Sequence, residues 1–351
     1  MTLAALIWEM SIQDDKPIIS LPCGFRGVAK TRMSDWCLDN VPLKARCPLD
    51  NRKRVNQSAA RLPVGQLDTL PAELISKVLL QLDVVSLTNL RRVNRRAMDM
   101  VDSIPQYAKM LNHCPDIIRA ATSMQANAYD CCTLFNTLST TDCSTCGNFG
   151  AYLYLIDCRR VCSLCAVTRA EFLPIPWKVA RAICAPKTAN ARRALTNQQL
   201  RRRVPSILSL PGRYFVDVQE DKAVMSKNRL RLFDEKSLSR VVPMYSHNAL
   251  RRFYSECWSS GLRNVALISA PHLFDNGVQA DWGLCCLGCY QVNPRAHIAA
   301  FADLKYLAKD AQAHVEKLGP IVWNAKYYVW VHKSRQDVDL FFDIRVGLFV
   351  F

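Results

Sequence analysis

Hydrophobic and polar positions divide the chain into stretches of different period. Residues 1–65 show little period and are interrupted by Pro17, Pro22, Pro42, Pro48 and Pro63, which predicts an irregular, partly disordered leader. From Leu67 the pattern turns helical. Leu74, Ile75, Val78, Leu79 and Leu82 fall at the i, i+1, i+4, i+5, i+8 positions of one helical face. Pro71 suits a first turn, where its missing N–H costs nothing, and Glu73 suits the positive end of the helix dipole. A second helix carries Leu87, Leu90 and Val93, with Ser86 as its predicted cap and Arg91, Arg92, Arg95 and Arg96 beside the stripe. Those three apolar residues are expected to hold it against the first helix. Pro105 admits a short helix over residues 107–111 and Pro115 opens another over 117–124, so residues 67 to about 135 read as helical.

After Thr140 the grammar changes. A turn at Cys143 to Gly147 precedes a short strand over residues 152–156, and a second turn follows at Cys162 and Cys165. Pro174, Pro176, Pro186, Pro205 and Pro211 then punctuate a mixture of short helices and loops. Helical patterns return over residues 248–258 and 301–318, and residues 327–351 look β-rich. The expected fold class is therefore α+β and mainly helical, with a mixed α/β C-terminal region.

At 351 residues, half of them hydrophobic, the chain can bury a sizeable core, roughly two domains' worth. No apolar run approaches the ~18 residues of a membrane-spanning helix. Residues 3–8 are apolar but have neither a basic leader nor a small-residue cleavage site, and Glu9, Asp14 and Asp15 follow. No secretory signal is expected, and the chain is read as cytoplasmic, nuclear or both, with Arg52, Lys53 and Arg54 as a weak nuclear address. In such a reducing compartment, 16 cysteines suggest metal where they cluster and buried thiols where they stand singly. The formal net charge is +16. No carboxylate lies between Glu171 and Asp217, whereas Lys178, Arg181, Lys187, Arg192, Arg193, Arg201, Arg202, Arg203 and Arg213 do. Such a segment is either a solvated basic face or an attractor of polyanions and acidic proteins.

Cys143, Cys146, Cys162 and Cys165 form two C-x2-C pairs at the spacing of a four-cysteine zinc site. Each pair spans one tight turn, and two such turns complete a tetrahedron. Gly147 relieves the backbone where the turn needs positive φ. Four thiolates around one divalent ion carry a charge of about −2, which Arg159, Arg160 and Arg169 are placed to offset. Four protein ligands leave no position for water, so the ion would be structural. Cys158 is read as a buried thiol. A second cluster, Cys285, Cys286 and Cys289, supplies only one further knuckle. His297, His314 and Cys257 are candidates for its other half, and local spacing does not choose among them.

Two longer stretches carry a family likeness. The first runs Leu70-Pro71-Ala72-Glu73-Leu74-Ile75, then Val78, Leu79 and Leu82, then Ser86-Leu87 and Leu90-Arg91-Arg92-Val93-Asn94-Arg95. The second runs His113-x-Pro115-Asp116-Ile117-Ile118-Arg119, then Leu134 and Leu138, then Cys143-x2-Cys146-Gly147-Asn148-Phe149-Gly150, and closes on Arg160-Val161-Cys162-x2-Cys165. Together they resemble fungal F-box proteins, in which an F-box precedes a cysteine-rich segment. The stretch from Val204-Pro205-Ser206 to Tyr214 is similar to a further part of that family, and the likeness covers roughly residues 67–320. It implies a three-helix F-box module over 66–112, a helix with the zinc-binding segment over 113–170, and a substrate-reading region within 171–351; the leader over 1–65 and the extreme C-terminus lie outside it. In similar proteins the second knuckle tends to be followed by a His-x3-Cys pair, but here His314 is followed by Leu318. Leucine cannot bind zinc. The resemblance therefore implies a second set of Cys286, Cys289 and His314 that is one ligand short unless Cys285 or Cys257 completes it.

The function implied is that of a substrate receptor in a Skp–cullin–F-box ubiquitin ligase, linking a Skp-family adaptor, and through it a cullin, to a protein substrate. Leu70, Pro71, Glu73, Leu74, Ile75 and Val78 are the residues placed to touch the adaptor. A module of this size leaves apolar residues free to enter a partner's groove. The rival reading is a zinc-containing nucleic-acid binder using residues 172–216, where only Trp177, Tyr214 and Phe215 lie near the arginines. An enzyme is not expected: the chain has no Gly-rich phosphate loop, G-x-S-x-G elbow or H-E-x-x-H. Asp217, Glu220, Asp221 and the histidines lack motif spacing, and no catalytic residue is assigned.

Overall fold

The computed structural model describes residues 25–27, 40–47, 49, 63–184, 197–211, 228–241, 253, 262–291, 304–324 and 329–333. Strand β1 (Phe25–Gly27) and helix α1 (Asn40–Arg46) precede a helical run. It comprises α2 (Ala72–Leu80), α3 (Val84–Arg91), α4 (Arg95–Asp102), α5 (Pro105–His113), α6 (Pro115–Met124) and α7 (Cys131–Leu138). Pro71 stands just before α2, and its carbonyl accepts from the amides of Leu74 and Ile75 at 3.0 and 3.1 Å. Pro105 and Pro115 open α5 and α6, where an absent N–H is no loss.

The start of α3 corrects the sequence reading. Its cap is Asp83, whose carboxylate accepts from the Ser86 amide at 2.9 Å and from the Ser86 hydroxyl at 2.6 Å. Asp83 lies three residues before Ser86 and can reach the orphan amide that a cap must satisfy. Leu79, Val84, Leu87, Val101, Ile104 and Tyr107 are buried in one core with α6 and α7. Leu90 packs half-buried against that core, but Val93 is 66% exposed. Val93 therefore does not hold α3 in place, because the helix has ended at Arg91 and the chain has turned away. A fork of Arg91 onto Asp102, at 2.7 and 3.0 Å, clamps α3 to α4.

Strands β2 (Tyr152–Tyr154) and β3 (Arg159–Val161) form a hairpin, followed by α8 (Ser163–Thr168), β4 (Ile175–Pro176) and α9 (Trp177–Ile183). Then come α10 (Asn197–Arg203), β5 (Ser206–Leu208), β6 (Arg231–Phe233), α11 (Glu235–Val241), α12 (Leu262–Val265) and β7 (Leu267–Ser269). The sheet β3-β2-β7 is antiparallel, with Tyr152 opposite both Val161 and Ser269. All three residues of β2 are buried, as expected of a strand covered on both faces. A second sheet has the order β4-β6-β5.

The chain continues with β8 (His272–Phe274), β9 (Gln279–Asp281), β10 (Leu284–Cys286), α13 (Leu287–Gln291), β11 (Lys305–Tyr306), α14 (Ala308–Leu318), β12 (Ile321–Asn324) and β13 (Val329–His332). Here β10 lies between β1 and β11, and β12 pairs with β13. Leu284, Cys286, Ala311 and Ile321 make a small core separate from the large one. Apart from Phe253, the helical pattern predicted over 248–258 lies outside the described residues, as does most of the β-rich stretch over 327–351. No described helix is long and apolar enough to cross a membrane.

Candidate metal centres and partner surface

The hairpin β2–β3 places the second knuckle of the first cluster. Cys162 follows β3 directly and caps α8, its sulfur accepting from the Cys165 amide at 3.4 Å. The first knuckle is closed by Gly147 donating to the Cys143 carbonyl at 3.1 Å and by the Cys143 amide donating to Asn148 at 2.6 Å. Gly147 has φ 75°, the left-handed turn position that glycine adopts without cost. Ser144 donates to the Arg160 carbonyl at 2.9 Å, which ties one knuckle to the other. As a result the ligand atoms of Cys143, Cys146, Cys162 and Cys165 all lie within 4.8 Å of one another. Cys146 and Cys162 are 3.6 Å apart, close to the ~3.8 Å edge of a tetrahedron with ~2.3 Å metal–sulfur bonds.

Proton sharing within this cluster favours a thiolate. The Cys143 thiol is held down to about 4, chiefly by the hydrogen bond from Cys162 and also by amides of the knuckle. The same bond raises Cys162, and burial pushes Cys165 up to about 12. Four sulfurs this close cannot all ionise without a cation among them. The donor set suits a soft divalent metal.

Two of the three arginines expected to offset the cluster's charge, Arg159 and Arg160, do other work. Arg159 binds Asp157, Glu171 and Asp234 at 2.5, 2.7 and 3.1 Å. Arg160 is buried and donates to the carbonyls of Thr137, Leu138, Gly150 and Pro271, which satisfies the end of α7 and the edge of the hairpin. For these two the expectation fails because each guanidinium first satisfies its own donors with carboxylates or backbone carbonyls. Cys158 stands in the β2–β3 turn with φ 61°. Its sulfur is 3.6 Å from the Thr137 hydroxyl, and burial raises its thiol to about 12. It is a buried thiol and not a ligand.

The second cluster gathers Cys286, Cys289 and His314, the three residues singled out from sequence, and adds His332. His332 lies at the end of β13 and is fully buried. Sequence spacing gives no sign of it. Its Nε2 is 3.1 Å from the Cys286 sulfur and 3.6 Å from the Cys289 sulfur, and His314 Nε2 is 3.6 Å from Cys289. The Cys286 thiol is lowered to about 4, first by its hydrogen bond with Cys289. Cys285 precedes Cys286 on β10 and so points to the opposite face. Cys257 and His297 lie outside the described residues.

The residues expected to meet an adaptor lie on and just before α2. Leu74 and Val78, four apart on α2, are 47% and 48% exposed on one side of the helix, and Leu70, in extended backbone just before it, is 39% exposed. Pro71 and Glu73 are exposed beside them, whereas Ile75 packs against the core and Leu79 is buried in it. The helix thus has an inner and an outer apolar face. In the basic segment, Arg201, Arg202 and Arg203 are exposed at the end of α10. Trp177 packs on Phe233 with ring centroids 5.8 Å apart, so it serves the core. Tyr214 and Phe215 lie outside the described residues.

Residues 67–109 match the family model of the F-box domain. The chain therefore carries an F-box, the helical module that generally docks on Skp-type adaptors, and the match covers α2, α3, α4 and the start of α5. No curated protein and no solved structure matches the chain.

Proposed function

We propose that this protein is a substrate-receptor subunit of a Skp–cullin–F-box ubiquitin ligase, acting in the cytoplasm, the nucleus or both. The observation that carries this reading is the outward apolar surface of Leu74 and Val78 on α2, with exposed Leu70 just before the helix, all within the F-box. Large aliphatic side chains held on a rigid helix and left in water form a surface that a partner's groove can cover. The adaptor takes that surface, and residues 171–351 read the substrate. The chain contributes to ubiquitin transfer by position, while the chemistry belongs to other subunits. Cys143, Cys146, Cys162 and Cys165 hold a structural zinc ion that fixes the hairpin behind the F-box, a role that suits the reducing compartments where thiolate ligands persist.

A pull-down of the purified full chain with a Skp-family adaptor tests this directly. Leu74→Ala with Val78→Ala should lower adaptor affinity by about 30-fold or more, since a central interface anchor is typically worth ~2 kcal/mol or more. Circular dichroism and thermal stability should stay near those of the parent. A folded parent chain that shows no adaptor binding at micromolar concentrations would refute the receptor reading. Variants that unfold instead would return these residues to the core.

A further inference from the structure

We infer that Cys286, Cys289, His314 and His332 form a second zinc site, of Cys2His2 type, with His332 supplying the ligand that the spacing after His314 lacks. This does not depend on the receptor reading, because it rests on the C-terminal module alone. The four ligand atoms lie within 4.8 Å of one another. The sulfur–nitrogen separations of 3.1 to 3.6 Å bracket the lower side of the ~3.6 Å edge expected for ~2.3 Å and ~2.0 Å zinc bonds. Two soft thiolates with two imidazoles suit zinc among the common divalent ions, whereas calcium and magnesium take oxygen.

Two features show a site built to receive a ligand. His332 Nδ1 is 2.7 Å from the Gly319 carbonyl. A carbonyl only accepts, so the proton sits on Nδ1 and the Nε2 lone pair faces the two sulfurs. Metal-binding histidines are fixed by this kind of outer hydrogen bond. The knuckle itself presses on the same ring: a Cβ at Gly288 would stand 2.9 Å from His332 Cδ2 and 3.2 Å from its Nε2. Only glycine lets the turn between Cys286 and Cys289 come this near. His314 approaches from α14, its ring 5.0 Å from that of His332 and edge-on to it.

The site also answers what holds this module together. Among the described residues its separate core gathers Leu284, Cys286, Ala311 and Ile321, with Leu287 and Val331 also buried nearby, little apolar area to order two helices and a hairpin alone. The ligands come from the end of β10, from α13, from α14 and from β13. One ion at their meeting point would join all four elements, and through β10 it would anchor β1 as well.

Metal analysis of the full chain tests the proposal. We expect about two zinc ions per parent chain, and about one in His332→Ala and in Cys289→Ser, since each four-ligand structural site is closed by its last ligand. His332→Cys should keep about two, because a thiolate can take the place of the imidazole. Cys285→Ser should also keep about two. Adaptor binding, read in parallel, should survive in all four variants, which separates this proposal from the receptor reading. A zinc content that His332→Ala and Cys289→Ser both leave unchanged from the parent would overturn it. Should His332→Ala not fold, cobalt(II) loading of the parent decides. A second equivalent with a two-thiolate charge-transfer intensity supports the site, and a single four-thiolate spectrum excludes it.

Discussion

The four-cysteine cluster takes all its ligands from residues 143–165, on two turns joined by one hairpin, and it borders the large core. The second cluster reaches from residue 286 to residue 332, across strands and helices, and borders the small core of Leu284, Cys286, Ala311 and Ile321. The first region has packing to organise it before any metal binds. Chain closure costs grow with the length between ligands, so the second region has more entropy to lose and less apolar area to offset it. Metal should consequently add to packing in the first region and largely stand in for it in the second, so that each loses order with its ion, the first against a core packed beside it and the second with little else to hold it.

The harshest way to break this comparison is to remove a ligand from the first cluster. Cys162 is buried at the point where β3 meets α8. Zinc can contribute on the order of 10–16 kcal/mol, against a net stability of ~5–15 kcal/mol for a whole domain. Cys162→Ser should lose zinc and unfold residues 140–170, with β7 affected because it pairs with β2. Hydrogen exchange read by mass spectrometry should show this loss of protection, with α14 and β12 little changed. Unchanged protection over 143–165 in a zinc-free variant would mean that packing alone holds the first region.

A smaller effect separates core from surface inside the F-box. Leu87 is fully buried and Leu74 is 47% exposed. Leu87→Ala should cost about 2–5 kcal/mol through lost contacts and a residual cavity. Leu74→Ala should cost no more than about 0.5 kcal/mol, as surface changes usually do. Urea denaturation monitored by circular dichroism measures both. Similar costs at the two positions would show that α2 has no outer face.

How much of this was legible in the sequence follows the same division between local and distant. Leu74, Val78 and Leu79 announce a helix because their period is local, and the C-x2-C pairs announce a ligand site because each is a single turn. Sequence alone favours Ser86 over Asp83 as the cap, since both residue types cap helices and only the backbone decides which one precedes the first turn. Val93 was grouped with Leu87 and Leu90 by period alone, although the helix stops before it. His332 could not be found. It is a single histidine on a short strand, joined to Cys286 by tertiary folding and to no motif. Arg159 and Arg160 were drawn to the thiolates by sequence proximity, but carboxylates and backbone carbonyls claim them.

The subtlest contrast concerns the acid network beside the first cluster. Asp157 is raised to about 7, first by burial and then by the Asp234 carboxylate, which together outweigh Arg159 and Lys236. Glu171 shares Arg159 with it, and the buried Tyr154, Tyr129 and Cys158 lie close enough to sense its charge. A carboxyl whose folded pKa exceeds its unfolded value of ~3.9 holds more protons in the folded state. Its stabilising effect is complete below the unfolded value and is lost as pH rises through about 7. From about pH 6 to about pH 8 the loss is on the order of 1 kcal/mol. Asp157→Asn keeps a hydrogen-bond acceptor for Arg159 but cannot titrate, so it should remove that part of the pH dependence. Chemical denaturation of both proteins at the two pH values, compared as a difference, cancels the histidines they share. A variant whose stability falls by the same amount as the parent's would assign the pH dependence to other groups. That outcome would mean that Arg159 outweighs burial and holds Asp157 ionised across this window.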